Sequence, residues 1–371
     1  MSNELIRYQP EYKWEVAELL TEFWPDPAAN AAYFSWLFEQ NPYTDCPIVY
    51  LLLAEGKVVG MRGFHGAKWE IAGSGKTFEA PCACMFVIDK PFRGRGLAQA
   101  IMKGAVEDLA AIGFQYVFSY SAGPIPYMSQ LRRGWRVAGN YRTIRRETAS
   151  IGSLRMVARQ FPFLRTIWQH TGRRVPLQRQ DAFVSLDALS PTELDGGVLS
   201  VTREADAPAM GELASAVAIP GLIRHVPEPA YFAWRYKNPQ MDYRFLIWRN
   251  TKLQGFLVLQ KQRGNTPKVC IIDWEATSAE VVKRLIRAVL EFGQFASLSI
   301  WSATLPDEMG SFLNDCGFAR YDESLGVPGY SPGLLIKSLD DNPPDGPWEV
   351  SGHCIDDFAN WDIRSVYSDQ F

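Results

Sequence analysis

Arg93, Gly94, Arg95, Gly96, Leu97 and Ala98 form a compact basic turn directly after an apolar run that stops at Asp89. Behind the turn, Leu97, Ile101, Ala105, Leu109 and Ile112 recur at three- or four-residue spacing, which predicts a helix with one apolar face. A strand that leads through glycines into a helix start is an anion site, because unpaired backbone N–H groups converge there and the helix dipole adds partial positive charge. Gly94 and Gly96 carry no side chain, so a phosphate could approach the main chain closely. A Walker loop is excluded, since Leu97-Ala98 stands where Lys-Ser/Thr is required. A dinucleotide fingerprint is also excluded, for want of three spaced glycines with an acid about 20 residues on.

The pattern Arg93-x-x-Gly96-x-Ala98, with Val87 and Pro91 ahead of it, resembles the Arg/Gln-x-x-Gly-x-Gly/Ala motif of the GCN5-related (GNAT) acyltransferases. The resemblance implies that Arg93, Gly94, Arg95, Gly96, Leu97 and Ala98 hold the pyrophosphate of an acyl-coenzyme A, mostly through the main chain. It further implies that N–H groups of the preceding strand, at Phe86, Val87 and Ile88, hold the thioester carbonyl. Acetyl-CoA or another acyl-CoA is then the expected donor, and no metal is expected.

Amine acylation also needs an uncharged amine and a group that handles the departing thiolate. Many members of the family place a Tyr four residues before the Gly that opens a late strand. Here that Gly is Gly134 and the position holds Gln130, so Tyr127, one helical turn earlier, is the candidate acid. Glu79 and His65, on strands expected to flank the substrate cleft, are the candidate bases. Cys82 and Cys84 read as packed thiols rather than acyl-accepting nucleophiles, since neither has an adjacent His in sequence.

The elements that must position these residues follow in order. Leu5 to Tyr8 reads as a strand, residues 11–24 and 28–39 as helices, and Ile48–Ala54 with Val58–Phe64 as a hairpin around Glu55-Gly56-Lys57. Ala67–Ile71 and Thr77–Ile88 read as a second strand pair. After the basic turn and its helix come a strand at 115–121, a short helix at 125–132, and final strands to about Glu147. This succession, over about residues 4–148, is that of the GNAT fold. The class is α/β (α+β), with a mixed, mostly antiparallel sheet flanked by helices.

An internal repeat extends the picture. Tyr33-Phe34-x-Trp36, closed by Asn41-Pro42, recurs as Tyr231-Phe232-x-Trp234, closed by Asn238-Pro239. Glu55-Gly56-Lys57 is answered by Asn250-Thr251-Lys252, and Gly134-Trp135 by Gly317-Phe318. The offset shrinks from 198 (33 to 231) through 195 (55 to 250) to 183 (134 to 317), as shorter loops in a second copy would produce. Two tandem GNAT-like domains are therefore expected, at 1–148 and 198–338, with a linker at 149–197 and a tail at 339–371. The second copy lacks the anion turn. Asp273, Glu275 and Glu280 stand near it and would repel a pyrophosphate, and Thr277 or Ser278 caps the helix instead.

Residues 142–180 hold nine Arg and one acid, Glu147, interleaved with apolar residues over 153–170. Such a stretch fits a linker helix packed between domains, or a contact with an anionic membrane surface. The tail from Asp340 holds eight acids and only Arg364 as a base, yet also carries Trp348, Phe358, Trp361 and Tyr367, so docking is expected. A net charge of −3 gives no case for nucleic-acid binding. Six scattered cysteines show no zinc spacing and read as reduced thiols; with no signal-peptide order at Met1–Arg7 and no apolar run of about 20 residues, a cytoplasmic location is expected.

Three functions fit these observations. The first is an acyl-CoA-dependent N-acyltransferase. The chain resembles two-domain GNAT proteins of bacterial surface-polysaccharide pathways, through its Tyr-Phe-x-Trp…Asn-Pro segments and the Trp348-Glu349-Val350-Ser351-Gly352 stretch, so an amino sugar is a possible acceptor alongside an amino acid, a peptide N-terminus or a polyamine. The second is a non-catalytic acyl-CoA sensor or scaffold. The third is a membrane-surface enzyme with a long-chain acyl donor, docked through 142–180.

Overall fold

The computed structural model describes residues 3–120, 122–147, 181–194, 196–264, 266–321 and 324–368. The first part of the chain forms β1 (Asn3–Arg7), α1 (Lys13–Leu19), α2 (Pro27–Phe34), β2 (Ile48–Ala54), β3 (Lys57–His65), β4 (Lys68–Ile71), β5 (Lys76–Glu79) and β6 (Cys82–Ile88). It continues with α3 (Leu97–Ala111), β7 (Tyr116–Ser119), α4 (Pro124–Leu131), β8 (Arg136–Asn140) and β9 (Thr143–Glu147). Next come α5 (Val184–Asp187), β10 (Thr192–Leu194), β11 (Gly197–Thr202), α6 (Ala207–Ala216), β12 (Ile223–His225), α7 (Pro229–Arg235), β13 (Met241–Arg249) and β14 (Leu253–Gln262). The last part holds β15 (Lys268–Ala276), α8 (Ala279–Phe292), β16 (Ser297–Trp301), α9 (Asp307–Asp315), β17 (Ala319–Arg320), β18 (Gly333–Ser338), β19 (Glu349–Val350) and β20 (His353–Cys354).

The chain divides into two compact units, and neither is continuous in sequence. Unit 1 takes Met1–Tyr141, Ala218–Gln240 and Glu323–Gln370; unit 2 takes Arg142–Val217 and Met241–Asp322. The repeat runs along the chain as two successive copies, whereas the compact units trade segments between those copies. In unit 1 the seven-stranded sheet has the order β1-β2-β3-β6-β7-β18-β8, so a strand of the second copy is inserted between β7 and β8. In unit 2 the eight-stranded sheet has the order β10-β11-β13-β14-β15-β16-β9-β17, so a strand of the first copy lies between β16 and β17. Each sheet is antiparallel except at one junction, β6–β7 in unit 1 and β15–β16 in unit 2.

In unit 1, β2 is buried along its whole length and turns into β3 through Glu55 and Gly56, both left-handed (φ 52° and 79°). The α2 helix starts where Asp26 accepts from the amides of Ala28 and Ala29, with Pro27 at its first position. It passes into a π-helical turn over Ser35–Glu39 that buries Trp36, Leu37 and Phe38. The α3 helix lays Leu97, Ile101, Ala105 and Leu109 into the core on one sheet face. Ile112, expected on that face, is 47% exposed because the helix ends at Ala111.

The run expected as one strand at 77–88 is broken at Ala80-Pro81 into β5 and β6. Pro81 has no N–H to give a ladder, and β4 and β5 leave to form a three-stranded sheet with β12. The tail is docked on unit 1: Trp348 and Trp361 are 2% and 1% exposed, and Arg136 reaches Asp356 at 2.7 Å.

In unit 2, α8 packs Leu285, Ile286 and Val289 on the sheet, and its N-cap is Ser278, whose side chain accepts from the amide of Val281. Lys261, with a side chain 1% exposed, meets Asp181 at 2.9 Å and Asp242 at 2.8 Å. Most of the basic stretch, 148–180, lies outside the described residues.

Candidate functional site

The turn expected to hold an anion lies in unit 1. Lys90–Phe92 make one 3₁₀ turn after β6, Arg93 is extended, and Gly94 and Gly96 both sit at φ 77°. Side chains rarely adopt that region, and a Cβ built on either glycine meets nothing within 4 Å. The turn is therefore open on the side a ligand would use. Gly96 is the N-cap of α3 and caps nothing with a side chain. The first intrahelical bonds run from Gln99 and Ala100 to the Gly96 carbonyl at 3.0 and 3.2 Å, so the amides of Leu97 and Ala98 precede the helical ladder.

The two arginines brace the turn instead of projecting from it. Arg93 Nε donates to the Ile88 carbonyl at 2.7 Å and its guanidinium meets Glu22 at 2.8 Å. Lys90 joins the same carboxylate at 3.1 Å, and hydrogen bonds from Lys90 and then Arg93 hold the Glu22 carboxyl below its usual range. Arg95 donates to the Pro91 carbonyl at 2.8 Å and lies 5.3 Å over the Phe92 ring. This leaves the main chain as the anion-facing element.

The strand ahead of the turn is bulged. Arg62 pairs with Phe86 but Gly63 pairs with Cys84, so Met85 is an extra residue, and it takes φ 42°. The bulged strand meets β7 at one register pair, Cys82 with Phe118, supported by the Phe118 amide on the Pro81 carbonyl at 3.0 Å. β7 then pairs with β18 on its other edge, while β6 runs on to Ile88. Past Cys82–Phe118 no register pair joins β7 to β6, which leaves an unpaired slot along β6 as far as Ile88, ahead of the turn.

Alternation decides which amides face that slot. Asp89 donates to Val59 across the β3 side at 2.9 Å, so Val87 points to β3 as well. Phe86 and Ile88 then point their amides and carbonyls into the slot, as the Arg93 bond to the Ile88 carbonyl confirms for that side. Of the three strand residues expected to hold a thioester carbonyl, Phe86 and Ile88 turn their amides away from β3 and Val87 turns its amide toward β3.

The candidate acid and bases are not gathered at one point. Tyr127 is buried in the core on the α3 side of the sheet, edge-on to Tyr330 at 5.3 Å, and burial raises its pKa. Gln130 is buried beside it in sequence, its Oε1 without a hydrogen-bond partner among the described residues. Glu79 is exposed at the end of β5. His65 is 8% exposed at the end of β3, and burial, with the Arg235 and His225 charges adding to it, pushes its pKa down to about 3. It stays neutral at physiological pH.

His65 is the register partner of Cys82, a relation that sequence order hides. Both line a crevice in unit 1 together with Trp69, His225, Tyr231 and Arg235. Its free space is about 10 Å³, roughly what one water needs. The His65 Nδ1 in this crevice has no hydrogen-bond partner among the described residues. His225 stacks on Tyr231 at 3.9 Å and is likewise held near pKa 3, by burial first and Arg235 in addition. His225, Tyr231, Arg235 and the bulge at Met85 were missed in sequence. The signal that could have found Tyr231 and Arg235 is the repeated Tyr-Phe-x-Trp segment, which α7 carries; His225 lies ahead of it on β12.

In unit 2 the corresponding parallel junction, β15–β16, is followed by no glycine turn, and β15 bulges between Ile271 and Asp273. The Asp273 side chain there is nearly buried.

Residues 12–122 match the model of the acetyltransferase (GNAT) family. The first copy carries a GNAT domain. The match spans the bulged strand, the glycine turn and α3, and stops just past β7. Across both units the fold is that of tandem GNAT proteins. One similar structure is the tandem GNAT protein of the clavulanic acid biosynthesis pathway, at 12% identity and TM-score 0.53, over 92% of this chain and 100% of that one. A GCN5-related N-acetyltransferase from Anabaena variabilis aligns at 14% identity and TM-score 0.58, over 91% of this chain and 73% of that one. A probable N-acyltransferase from Enterococcus faecalis aligns at 11% identity and TM-score 0.59, over 92% and 73%. No curated protein matches the sequence. Among the described residues no helix is long and apolar enough to cross a membrane.

Proposed function

We propose that the chain is an acyl-CoA-dependent N-acyltransferase that uses acetyl-CoA and acylates a small amine, with an amino sugar of a surface-polysaccharide pathway as one candidate acceptor. The observation that carries this reading is the slot between β6 and β7. It opens at one register pair, is edged by the Phe86 and Ile88 amides, and lies ahead of the two left-handed glycines before α3.

Bound there, an acyl-CoA would supply an activated acyl group. The amides of the Gly94–Ala98 turn would hold its pyrophosphate, aided by the α3 dipole. The Phe86 and Ile88 N–H groups would donate to the carbonyl oxygen and stabilise the charge that develops on it. His65, held neutral with a pKa of about 3 in a crevice with room for about one water, cannot carry the amine's proton at pH 7. The acceptor must therefore react as the free amine and release its proton to water.

Calorimetric titration of acetyl-CoA into wild type and Gly96→Glu tests the reading. Micromolar binding that the variant loses, followed by release of coenzyme A with one amine from a panel that includes amino sugars, would uphold it. Wild type that binds no acyl-CoA would end it. A second reading, an acyl-CoA sensor, is favoured by Tyr127 lying in the core and Glu79 lying exposed. Tight binding with no turnover of any amine would select that reading.

A further inference from the structure

β6 and β7 part at Cys82–Phe118 in unit 1, and β15 and β16 part at Cys270–Ser299 in unit 2. One register row crosses each sheet at that point. In unit 1 it runs His65, Cys82, Phe118, Ile336, and in unit 2 it runs Gln260, Cys270, Ser299, Arg145. Phe118 and Ile336 are fully buried, and Trp361 packs on Phe118 at 5.2 Å, so an apolar pair satisfies the fold at these positions. Unit 2 puts a hydroxyl and a guanidinium there instead. The core residues Leu259, Val269, Ile271, Leu298 and Ile300 alternate with its row, which therefore lies on the other face of the sheet.

Arg145 makes no ion pair among the described residues, and its buried Nε has no hydrogen-bond partner among them. The guanidinium lies 3.6 Å over the ring of Tyr321, whose amide donates to the Thr143 carbonyl at 3.0 Å. One aromatic face thus orients the cation and leaves its edge donors for an anion. At the other end of the row Gln260 is 3% exposed, and its Oε1 is unmatched among the described residues. Thr143, two residues from Arg145 on the same face, is 4% exposed with Oγ1 unmatched in the same way. Between the two ends, Cys270 Sγ and Ser299 Oγ meet at 3.1 Å. Buried polar atoms without partners cost stability, and the apolar row of unit 1 shows that the fold does not require them. Cys270 and Arg145 are partly exposed and Tyr321 is exposed, so solvent reaches the row.

We infer that this row in unit 2 is a binding site for a small hydroxylated oxyanion, a molecule that joins a carboxylate or phosphate group to hydroxyl donors. Arg145 takes the oxyanion through its planar fork, held flat by Tyr321, and the Thr143 hydroxyl adds a donor beside it. Gln260 Oε1 accepts from a ligand hydroxyl. Three strand spacings, about 14 Å, separate the Gln260 and Arg145 backbones, so a ligand that reaches both ends is larger than a bare anion. The site is separate from the glycine turn of unit 1 and does not depend on what that turn holds.

Calorimetric titration of glucose 6-phosphate, gluconate and uncharged glucose into the full chain tests the site. At least one of the two anions is expected to bind wild type and glucose is not, and the anion that binds tells phosphate from carboxylate. Arg145→Gln is expected to weaken that binding about tenfold or more, while Arg263→Gln, which removes an exposed cation of the same unit, leaves it unchanged. Arg145→Lys keeps the charge should the glutamine variant fail to fold, and still loses several-fold because an ammonium offers no fork. Gln260→Leu removes an unmatched buried acceptor, so it should bind more weakly yet unfold at the same or a higher denaturant midpoint. Wild type that binds neither anion, or equal losses in Arg145→Gln and Arg263→Gln, would overturn the inference. So would a Gln260→Leu protein that loses stability and keeps its affinity.

Discussion

Trp36 and Trp234, equivalent residues of the two sequence copies, bond each other reciprocally in unit 1. Trp36 Nε1 donates to the Trp234 carbonyl at 2.9 Å, Trp234 Nε1 donates to the Trp36 carbonyl at 2.7 Å, and the rings stack at 5.4 Å and 16°. A self-complementary contact of this kind is what two copies of one element make about a local two-fold axis. It gives the repeated Tyr-Phe-x-Trp segment a structural role.

Either Trp→Phe change removes one of the two buried indole bonds, although the Trp234 carbonyl still accepts from the Lys237 amide at 3.0 Å. Each single variant should lose about 1–3 kcal/mol in denaturant titration. The two losses should not add, because each removes part of the same paired contact, and the double variant should lose clearly less than their sum. Simple additivity would show that the two bonds are independent.

The exchanged strands make a second prediction. β18 lies between β7 and β8, and β9 lies between β16 and β17. A fragment that ends at residue 148 lacks β18 and leaves β7 and β8 with open edges, which favour aggregation. Such a fragment should be insoluble when expressed alone and should be rescued by coexpression with residues 181–371, as read by size-exclusion chromatography. A soluble, monomeric 1–148 would refute the dependence.

Much of this was legible in the sequence, and the misses share a cause. The strand–turn–helix of β6 and α3 is local, and so is the β2–β3 hairpin at Glu55-Gly56; both stood out. The repeat was visible because Tyr33 and Tyr231 open matching segments. Strand exchange was not, since nothing in the order of β9 or β18 says which sheet completes it. The bulge at Met85 was hidden because no glycine marks it, although Met85 takes φ 42°. The side-chain partners of Arg93, Ile88 and Glu22, were hidden too, because Glu22 lies 71 residues away in the chain. The His65–Cys82 pairing depends on cross-strand register, which no local pattern encodes.

Gly94 offers a test of the turn that does not add charge. Its φ of 77° strains any side chain, and a Cβ would project into open space. Gly94→Ala should cost about 1 kcal/mol of stability from backbone strain. If the main chain holds the pyrophosphate, the added methyl should weaken acetyl-CoA binding about tenfold or more in the same calorimetric titration. Unchanged affinity would place the phosphates elsewhere.

His65 and His225 set the acid limit of unit 1. Both are buried with folded pKa values of about 3, against about 6.5 when unfolded. A lowered histidine pKa means that the unfolded chain binds protons the folded one refuses, so stability falls as pH drops below about 6.5 and goes on falling to about 3. Two such groups give a slope of about 2.7 kcal/mol per pH unit. Carboxylates with lowered values, such as Asp187 and Asp356, add their own loss only nearer pH 4, so the window from pH 6 to 5 reports the histidines. Guanidinium midpoints across that window should fall steeply in wild type and about half as steeply in His225→Phe, which keeps a ring against Tyr231. An equal slope in that variant would show that the buried imidazole is not the group being titrated.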